Sequence, residues 1–199
     1  MPIDVFLNLI ALSIAAAWTP GPNNALVAAS GALFGLRQTW PHILGIAFGY
    51  PAMVFIVGLG LGEVFQASAA LREILRWAGA GLLLWVAWKV ASSGGLSLGR
   101  SEPQPFTFIE AAAFQWVNPK GWAMAIAVTA QYITPAAPLV TASIVAAVFI
   151  AAGIGSTLTW AIAGRQITRT LTEAGMRRFN IVMRALIAAC VVLLFIGPL

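Results

Sequence analysis

Charge is what this sequence has least of. Of its 199 residues only 9% are Asp, Glu, Lys or Arg, while 60% are hydrophobic and the mean hydropathy is +0.90. A soluble globular domain carries roughly 25% charged residues. The composition leaves little room for a separate soluble domain and points to an integral membrane protein. Cysteine occurs once, as Cys190 inside an apolar run. That excludes a disulfide framework or thiol-pair chemistry within one chain, and Cys190 reads as a small buried apolar residue. Histidine also occurs once, as His42, so a multi-histidine metal site within one chain is excluded. It follows Pro41 at the start of an apolar run and reads as interfacial. With no His–carboxylate pair, Cys–His pair or metal motif, an enzyme is poorly supported and no cofactor is expected. The N-terminus lacks the positive n-region of a secretory signal and an obvious cleavage site, so the first helix is expected to be retained.

What is present is a series of apolar runs. Six are long enough for a hydrocarbon core of about 30 Å, which takes roughly 20 residues. The expected spans are 3–30, 40–62, a third ending near residue 91, then 106–132, 139–164 and 181–199. A short turn with Arg37 and Gln38 separates the first two. The polar stretch 63–76 brings Arg72, Glu73 and Arg76 to the start of the third span, whose charge-free part, 77–88, is short. Its arginines and Lys89 would have to snorkel. Trp40, Trp77, Trp88, Tyr132 and Trp160 lie at span ends and read as an interface belt.

The basic residues set the orientation. One side receives Arg37, Lys89, Arg100, Arg165, Arg169, Arg177, Arg178 and Arg184; the other receives Arg72 and Arg76. The positive-inside rule then puts both termini outside the cytoplasmic membrane. Arginines beside apolar spans suit topology and membrane lipids, so the net charge of +5 does not suggest nucleic acid.

The Ser-, Gly- and Pro-rich stretch 92–105 is the longest clear linker and lies on the cytoplasmic side. It divides one transmembrane domain, 1–199, into 3–91 and 106–199. With three spans each, the halves cross the membrane in opposite senses. Each begins with a proline-broken span, at Thr19-Pro20-Gly21-Pro22-Asn23-Asn24 and at Asn118-Pro119-Lys120-Gly121. Paired interruptions point to an inverted-repeat transporter with its site at the repeat interface; two unrelated proline kinks are the plainer alternative. The expected fold is all-α, about six transmembrane helices in two inverted three-helix repeats, with the first and fourth helices broken. Gly31 and Gly35, Gly45 and Gly49, and Gly58 and Gly62 have small-xxx-small spacing. They suit close packing within one subunit, or a homodimer face.

The breaks carry the chemistry. Proline cannot donate and clashes with the carbonyl four residues back, so the carbonyls of Ala16, Trp18 and Gln115 are expected to be freed. Gly21 offers unusual backbone freedom. Helix restarts after Asn23 and Asn24 and near Lys120 and Gly121 present N–H groups and a positive dipole end. They suit a carboxylate, and the freed carbonyls suit an ammonium. Asn23, Asn24, Asn118 and Lys120 are therefore candidate binding residues for a zwitterionic small molecule. Lys120 either faces a substrate carboxylate or folds back onto the broken helix. Trp18, Trp116 and Trp122 flank the breaks and read chiefly as packing between helices. No carboxylate lies in mid-span. Glu110, two turns before Asn118, is the better candidate for ion coupling and Glu63 the weaker; both also read as interfacial.

Thr19-Pro20-Gly21-Pro22-Asn23, the glycines Gly31 to Gly49, Leu84-Trp85-Val86-Ala87-Trp88-Lys89, and Phe114-Gln115-Trp116-Val117-Asn118-Pro119-Lys120 together resemble the LysE/RhtB family of amino-acid exporters. The resemblance covers essentially the whole chain. It implies a cytoplasmic-membrane exporter of amino acids or their derivatives, with Pro20, Gly21, Pro22, Asn23, Asn118, Pro119 and Lys120 in its transport site. Some members carry an acidic residue in the second span. None stands between residues 40 and 62, which favours a neutral cargo over lysine or arginine. A secondary transporter working by alternating access is the leading expectation, with a passive channel or facilitator as the alternative.

Overall fold

A computed structural model describes residues 1–92 and 104–170, with residues 175, 181 and 185. Most of the linker and the sixth expected span, with Arg100, Glu102, Glu173, Arg177, Arg178, Arg184 and Cys190, lie outside the described residues, as do the side chains of Trp88, Lys89 and Arg169. The described elements are all helical: α1 (Ile3–Trp18), α2 (Pro22–Ile56), a π-helical stretch (Val57–Leu61), α3 (Gly62–Ala67), α4 (Ala69–Ser92), α5 (Phe108–Val117), α6 (Pro119–Tyr132) and α7 (Pro138–Thr170).

Both expected breaks are present. α1 stops at Trp18 and α2 restarts at Pro22; α5 stops at Val117 and α6 restarts at Pro119. Each proline takes the first position of its helix, where its missing N–H costs nothing. Splitting leaves segments of 16, 10 and 14 residues, none of which matches a full span of roughly 20 residues. By length and apolarity, the helical stretches Pro22–Ala67, which is interrupted at Gly35, and Pro138–Ile167 could cross a membrane, with Ile3–Trp18 a shorter apolar helix.

α2 is two arms rather than one rod. Ser30 Oγ lies 2.9 Å from His42 Nδ1, yet twelve residues of straight helix span about 18 Å. The reversal occurs at Gly35, whose φ of 71° and ψ of 170° belong to glycine's territory. Thr39 Oγ1 closes the turn by donating to Gly35 O at 2.8 Å. The turn expected at Arg37 and Gln38 therefore sits two residues earlier, and both are helical. Gly35 makes this turn rather than a packing contact, since a side chain there would meet nothing. The reversal also corrects the interfacial reading of His42. The residue is 2% exposed and stacks on Phe106 with ring centroids 4.8 Å apart. Tyr132, expected in the interface belt, is likewise buried; Trp40 and Trp77 are exposed as expected.

α7 packs along the first arm of α2. A Cβ on Gly31 would overlap Ala161 O, and one on Gly164 would overlap Ala28 O. The backbones touch reciprocally, one glycine on each helix. The second arm receives α5: a Cβ on Gly45 would stand 2.6 Å from Ala111 Cβ, and one on Gly49 2.6 Å from Ala112 Cα. These glycines pack against helices of their own chain, where small residues allow backbones to approach. Such overlap has no rotamer solution. Gly164→Val should therefore destabilise the protein by more than about 3 kcal/mol, at the upper end of overpacking costs. Gly81→Ala, where nothing lies within 4 Å, should leave the melting temperature in detergent unchanged. Equal melting temperatures for the two variants would refute this packing.

Candidate functional site

The two breaks meet, and side chains from each satisfy the other. Asn23 Nδ2 donates to Gln115 Oε1 at 2.7 Å, and Gln115 Nε2 donates to Asn23 Oδ1 at 3.3 Å. The two amides thus pair face to face across 92 residues of sequence. Gln115 is fully buried and is also anchored to its own helix through Ala111 O at 2.8 Å. Lys120, second residue of α6, crosses to the end of α1. Its Nζ donates to Thr19 O at 2.7 Å and to Ala16 O at 3.3 Å. A cation on helix-terminal carbonyls is the arrangement the helix dipole favours. Lys120 thus adopts the folded-back geometry.

The freed carbonyls are taken up by protein donors. Asn24 Nδ2 donates to Ala17 O and to Thr19 O, both at 2.9 Å. Ser156 Oγ of α7 donates to Ala17 O at 2.7 Å. Ala17 O and Thr19 O each receive two donors, which fills both lone pairs of a carbonyl. Of the carbonyls expected to be freed for a substrate ammonium, Ala16 O accepts from Lys120 Nζ and Gln115 O from Asn118 N at 3.3 Å. At the second break Trp122 Nε1 serves Trp116 O at 2.8 Å, while its ring stacks on Phe65 with centroids 4.0 Å apart. Trp18 packs against Gly155. The tryptophans flanking the breaks are packing residues.

Gly21 needs a second correction. Its φ of −173° and ψ of −179° are extended backbone open to any residue. Space is what it supplies: a Cβ would stand 3.1 Å from Lys120 Cδ and 3.2 Å from Lys120 Nζ. Glycine lets the lysine lie across the break.

A cavity of about 80 Å³ opens where these elements converge. One water needs roughly 10–15 Å³, so a small solute is the natural scale. Gly21, Pro22, Asn23, Asn24, Asn118 and Lys120 line it; Pro20 and Pro119 do not. Both α2 and α6 begin at its wall. Their first intrahelical bonds run from Ala25 N to Gly21 O at 3.0 Å and from Trp122 N to Asn118 O at 3.1 Å. The earlier N–H groups have no place in the helical ladder. Asn118 is 3% exposed, and its Oδ1 is buried without a hydrogen-bond partner.

Sequence reasoning missed most of the remaining wall. Tyr50 and Ile46 come from the second arm of α2, Met124 from α6, and Phe149, Ser156 and Thr157 from α7. Apolar helices contain many such residues, and without the arms' positions nothing distinguished these. Glu110 is not at the cavity. It forms a capping box with Thr107 at the start of α5, accepting from Thr107 N at 2.8 Å while Thr107 Oγ1 accepts from Glu110 N at 3.2 Å. Glu63 is exposed on α3. Among the described residues no group of His, Cys, Asp and Glu could hold a metal.

The amide pair can be tested directly. Asn23→Ala and Gln115→Ala should each destabilise the folded protein by about 1–3 kcal/mol, because the first leaves the buried Gln115 Oε1 without its donor and the second leaves the half-buried Asn23 amide without its partner. The double variant should recover part of that sum, with a coupling energy of about 0.5–3 kcal/mol. Chemical unfolding in detergent measures all four corners of the cycle; strict additivity would show that the amides do not bond.

Comparison with known proteins identifies the family. The family model for the LysE type translocator matches residues 14–197. The chain is 30% identical over 181 residues to proteins named cysteine/O-acetylserine efflux protein, covering 90% of this chain and 91% of each relative. They come from Escherichia coli O1:K1, E. coli K12 and Shigella flexneri. No solved structure matches the chain. The paired helix breaks thus sit in a transporter of amino-acid efflux type, and the chain belongs to the LysE type translocator family.

Proposed function

We propose that this protein exports a neutral amino acid or amino-acid derivative across the cytoplasmic membrane by alternating access, from the cavity between the two breaks. The observation that carries the proposal is the buried, unpartnered Oδ1 of Asn118 in a cavity where two helices begin. An orphaned buried acceptor costs about 1–3 kcal/mol, and a ligand donor would remove that cost. The α-ammonium of an amino acid is such a donor. Its carboxylate then turns to the starts of α2 and α6, where backbone N–H groups and the positive dipole end gather. Lys120 adds positive potential from beside the first break without being the sole counter-charge.

The cavity wall supports a neutral cargo. Among the described residues it holds Lys120 and no carboxylate, so a lysine or arginine side chain would find no partner there for its charge. Cysteine and O-acetylserine, in the names of the relatives, are zwitterions without net charge.

The layout supports two inverted repeats in one domain, 1–199. α1 corresponds to α5, the first arm of α2 to α6, and the second arm to α7. α4 closes the first repeat, 3–91, as 181–199 would close the second, 106–199. Rocking one repeat against the other about the paired breaks would open the cavity to each side in turn. On this reading the basic linker side faces the cytoplasm and both termini lie outside. Glu110 remains the coupling candidate because it heads α5, whose far end is the Asn118 break.

Cells fed with dipeptides provide the test, with each released amino acid quantified in the medium. The wild-type protein should speed efflux of at least one neutral amino acid, and Asn118→Ala should lower that efflux about tenfold, as loss of one buried charged hydrogen bond implies. Equal efflux from both would end the proposal. Proteoliposome counterflow separates a carrier from a pore: labelled cargo should accumulate against unlabelled cargo, which a passive channel cannot achieve.

A further inference from the structure

We propose that Tyr50 reads the side chain of the cargo, its hydroxyl bonding one sulfur or oxygen atom that the side chain carries. The inference rests on the export reading above and narrows the class of amino acid. Three residues with side-chain hydroxyls line the cavity among the described residues: Tyr50, Ser156 and Thr157. Ser156 Oγ donates to Ala17 O and Thr157 Oγ1 to Gly153 O, each at 2.7 Å. The Tyr50 hydroxyl is buried and has no hydrogen-bond partner.

The ring of Tyr50 is accounted for by packing. It meets Phe149 of α7 edge-on, centroids 5.4 Å apart at 69°, a favoured aromatic geometry. Phenylalanine would provide the same contact without burying a polar atom. The hydroxyl therefore adds a cost to the empty cavity, and folding supplies no reason for it. A partner arriving with the cargo does supply one.

Which part of the cargo it meets follows from the elements. The helix starts and Asn118, which suit a carboxylate and an ammonium, belong to the first arm of α2 and to α6. Tyr50 belongs to the second arm, across the Gly35 reversal. Its neighbours on the cavity wall include Ile46, Met124 and Phe149. That wall suits a short apolar stem, and the phenol suits one hydrogen-bonding atom on it. The cargo class is then an amino acid bearing a thiol, hydroxyl or ester on a short stem. Purely aliphatic side chains of the same shape would leave the hydroxyl unpaired and bind less well.

The test uses isosteric pairs, threonine against valine and cysteine (kept reduced) against 2-aminobutyrate. Each competes with labelled exchange in proteoliposomes holding the full-length protein. For the wild type, the polar member of each pair should inhibit at about tenfold lower concentration. In Tyr50→Phe that ratio should fall to about one, with valine and 2-aminobutyrate unchanged and the melting temperature equal or higher. The inference falls if the wild type shows no preference, or if Tyr50→Phe keeps it. It also falls if Tyr50→Phe lowers the melting temperature, since the hydroxyl would then have a partner in the protein. In each of these cases the exchange itself leaves the export reading standing. A wild-type protein that speeds efflux of no amino acid from cells overturns both.

Discussion

The contact on which the rest of the site depends is the one between the Lys120 ammonium and the carbonyl end of α1. A helix that stops at Trp18 leaves its last carbonyls without intrahelical donors, and at membrane depth water cannot serve them freely. A lysine in an apolar span is costly for the complementary reason. Each defect is the other's remedy: Thr19 O and Ala16 O take the ammonium, and the negative end of the helix dipole favours its charge. Hydrogen bonds to charged groups contribute about 1.5–3 kcal/mol each. Gly21 leaves room for the lysine, since a Cβ there would stand 3.1 Å from Lys120 Cδ. Three features that look like separate irregularities, a short helix, a charge in an apolar run and a glycine, are one arrangement.

This arrangement also decides what the cavity offers. Lys120, Asn24 and Ser156 consume the carbonyl acceptors of the first break, and Asn23 and Gln115 consume each other. What is left over at the wall is narrow: the starts of α2 and α6, Asn118 Oδ1 and the Tyr50 hydroxyl. The protein-internal partners hold the breaks open as breaks, so the leftover groups need not be satisfied by refolding into a continuous helix. The proposed binding site relies on that division, in which most polar atoms are neutralised and a few are not.

Much of this was legible in the sequence, because proline and glycine act locally. Pro22 and Pro119 mark the helix starts at the residues where they occur, and Asn23, Asn24, Asn118 and Lys120 do converge on one cavity. What was hidden depends on distance rather than on local rules. The reversal at Gly35 was displaced to Arg37 and Gln38, because charge is the usual sign of a span's end and a glycine with positive φ carries none. Once the chain reverses there, His42 becomes a core residue on Phe106 and Ser30, which no neighbour in sequence reveals. Gln115 entered the sequence argument as a carbonyl, yet its side chain is half of the link between the breaks. Tyr50 sits in an uncharged run where nothing local sets it apart.

The distribution of contacts says which parts can move. Gly31 and Gly164 hold α7 on the first arm of α2 with backbones touching, and Gly45 and Gly49 hold the second arm on α5. Backbone-to-backbone packing of this kind is bistable rather than elastic, since a small displacement loses the contact outright. The ties across the breaks are different. They are few, made by side chains, and joined to groups that could accept other partners. In the proposed cycle a carboxylate arriving at the helix starts would compete with Thr19 O and Ala16 O for the Lys120 ammonium. Cargo would then weaken the tie between the first and second breaks as it binds. A ligand shifts a conformational equilibrium only through differential contacts with the two states. In that cycle the lysine that ties the two breaks together would give cargo a physical means of loosening them.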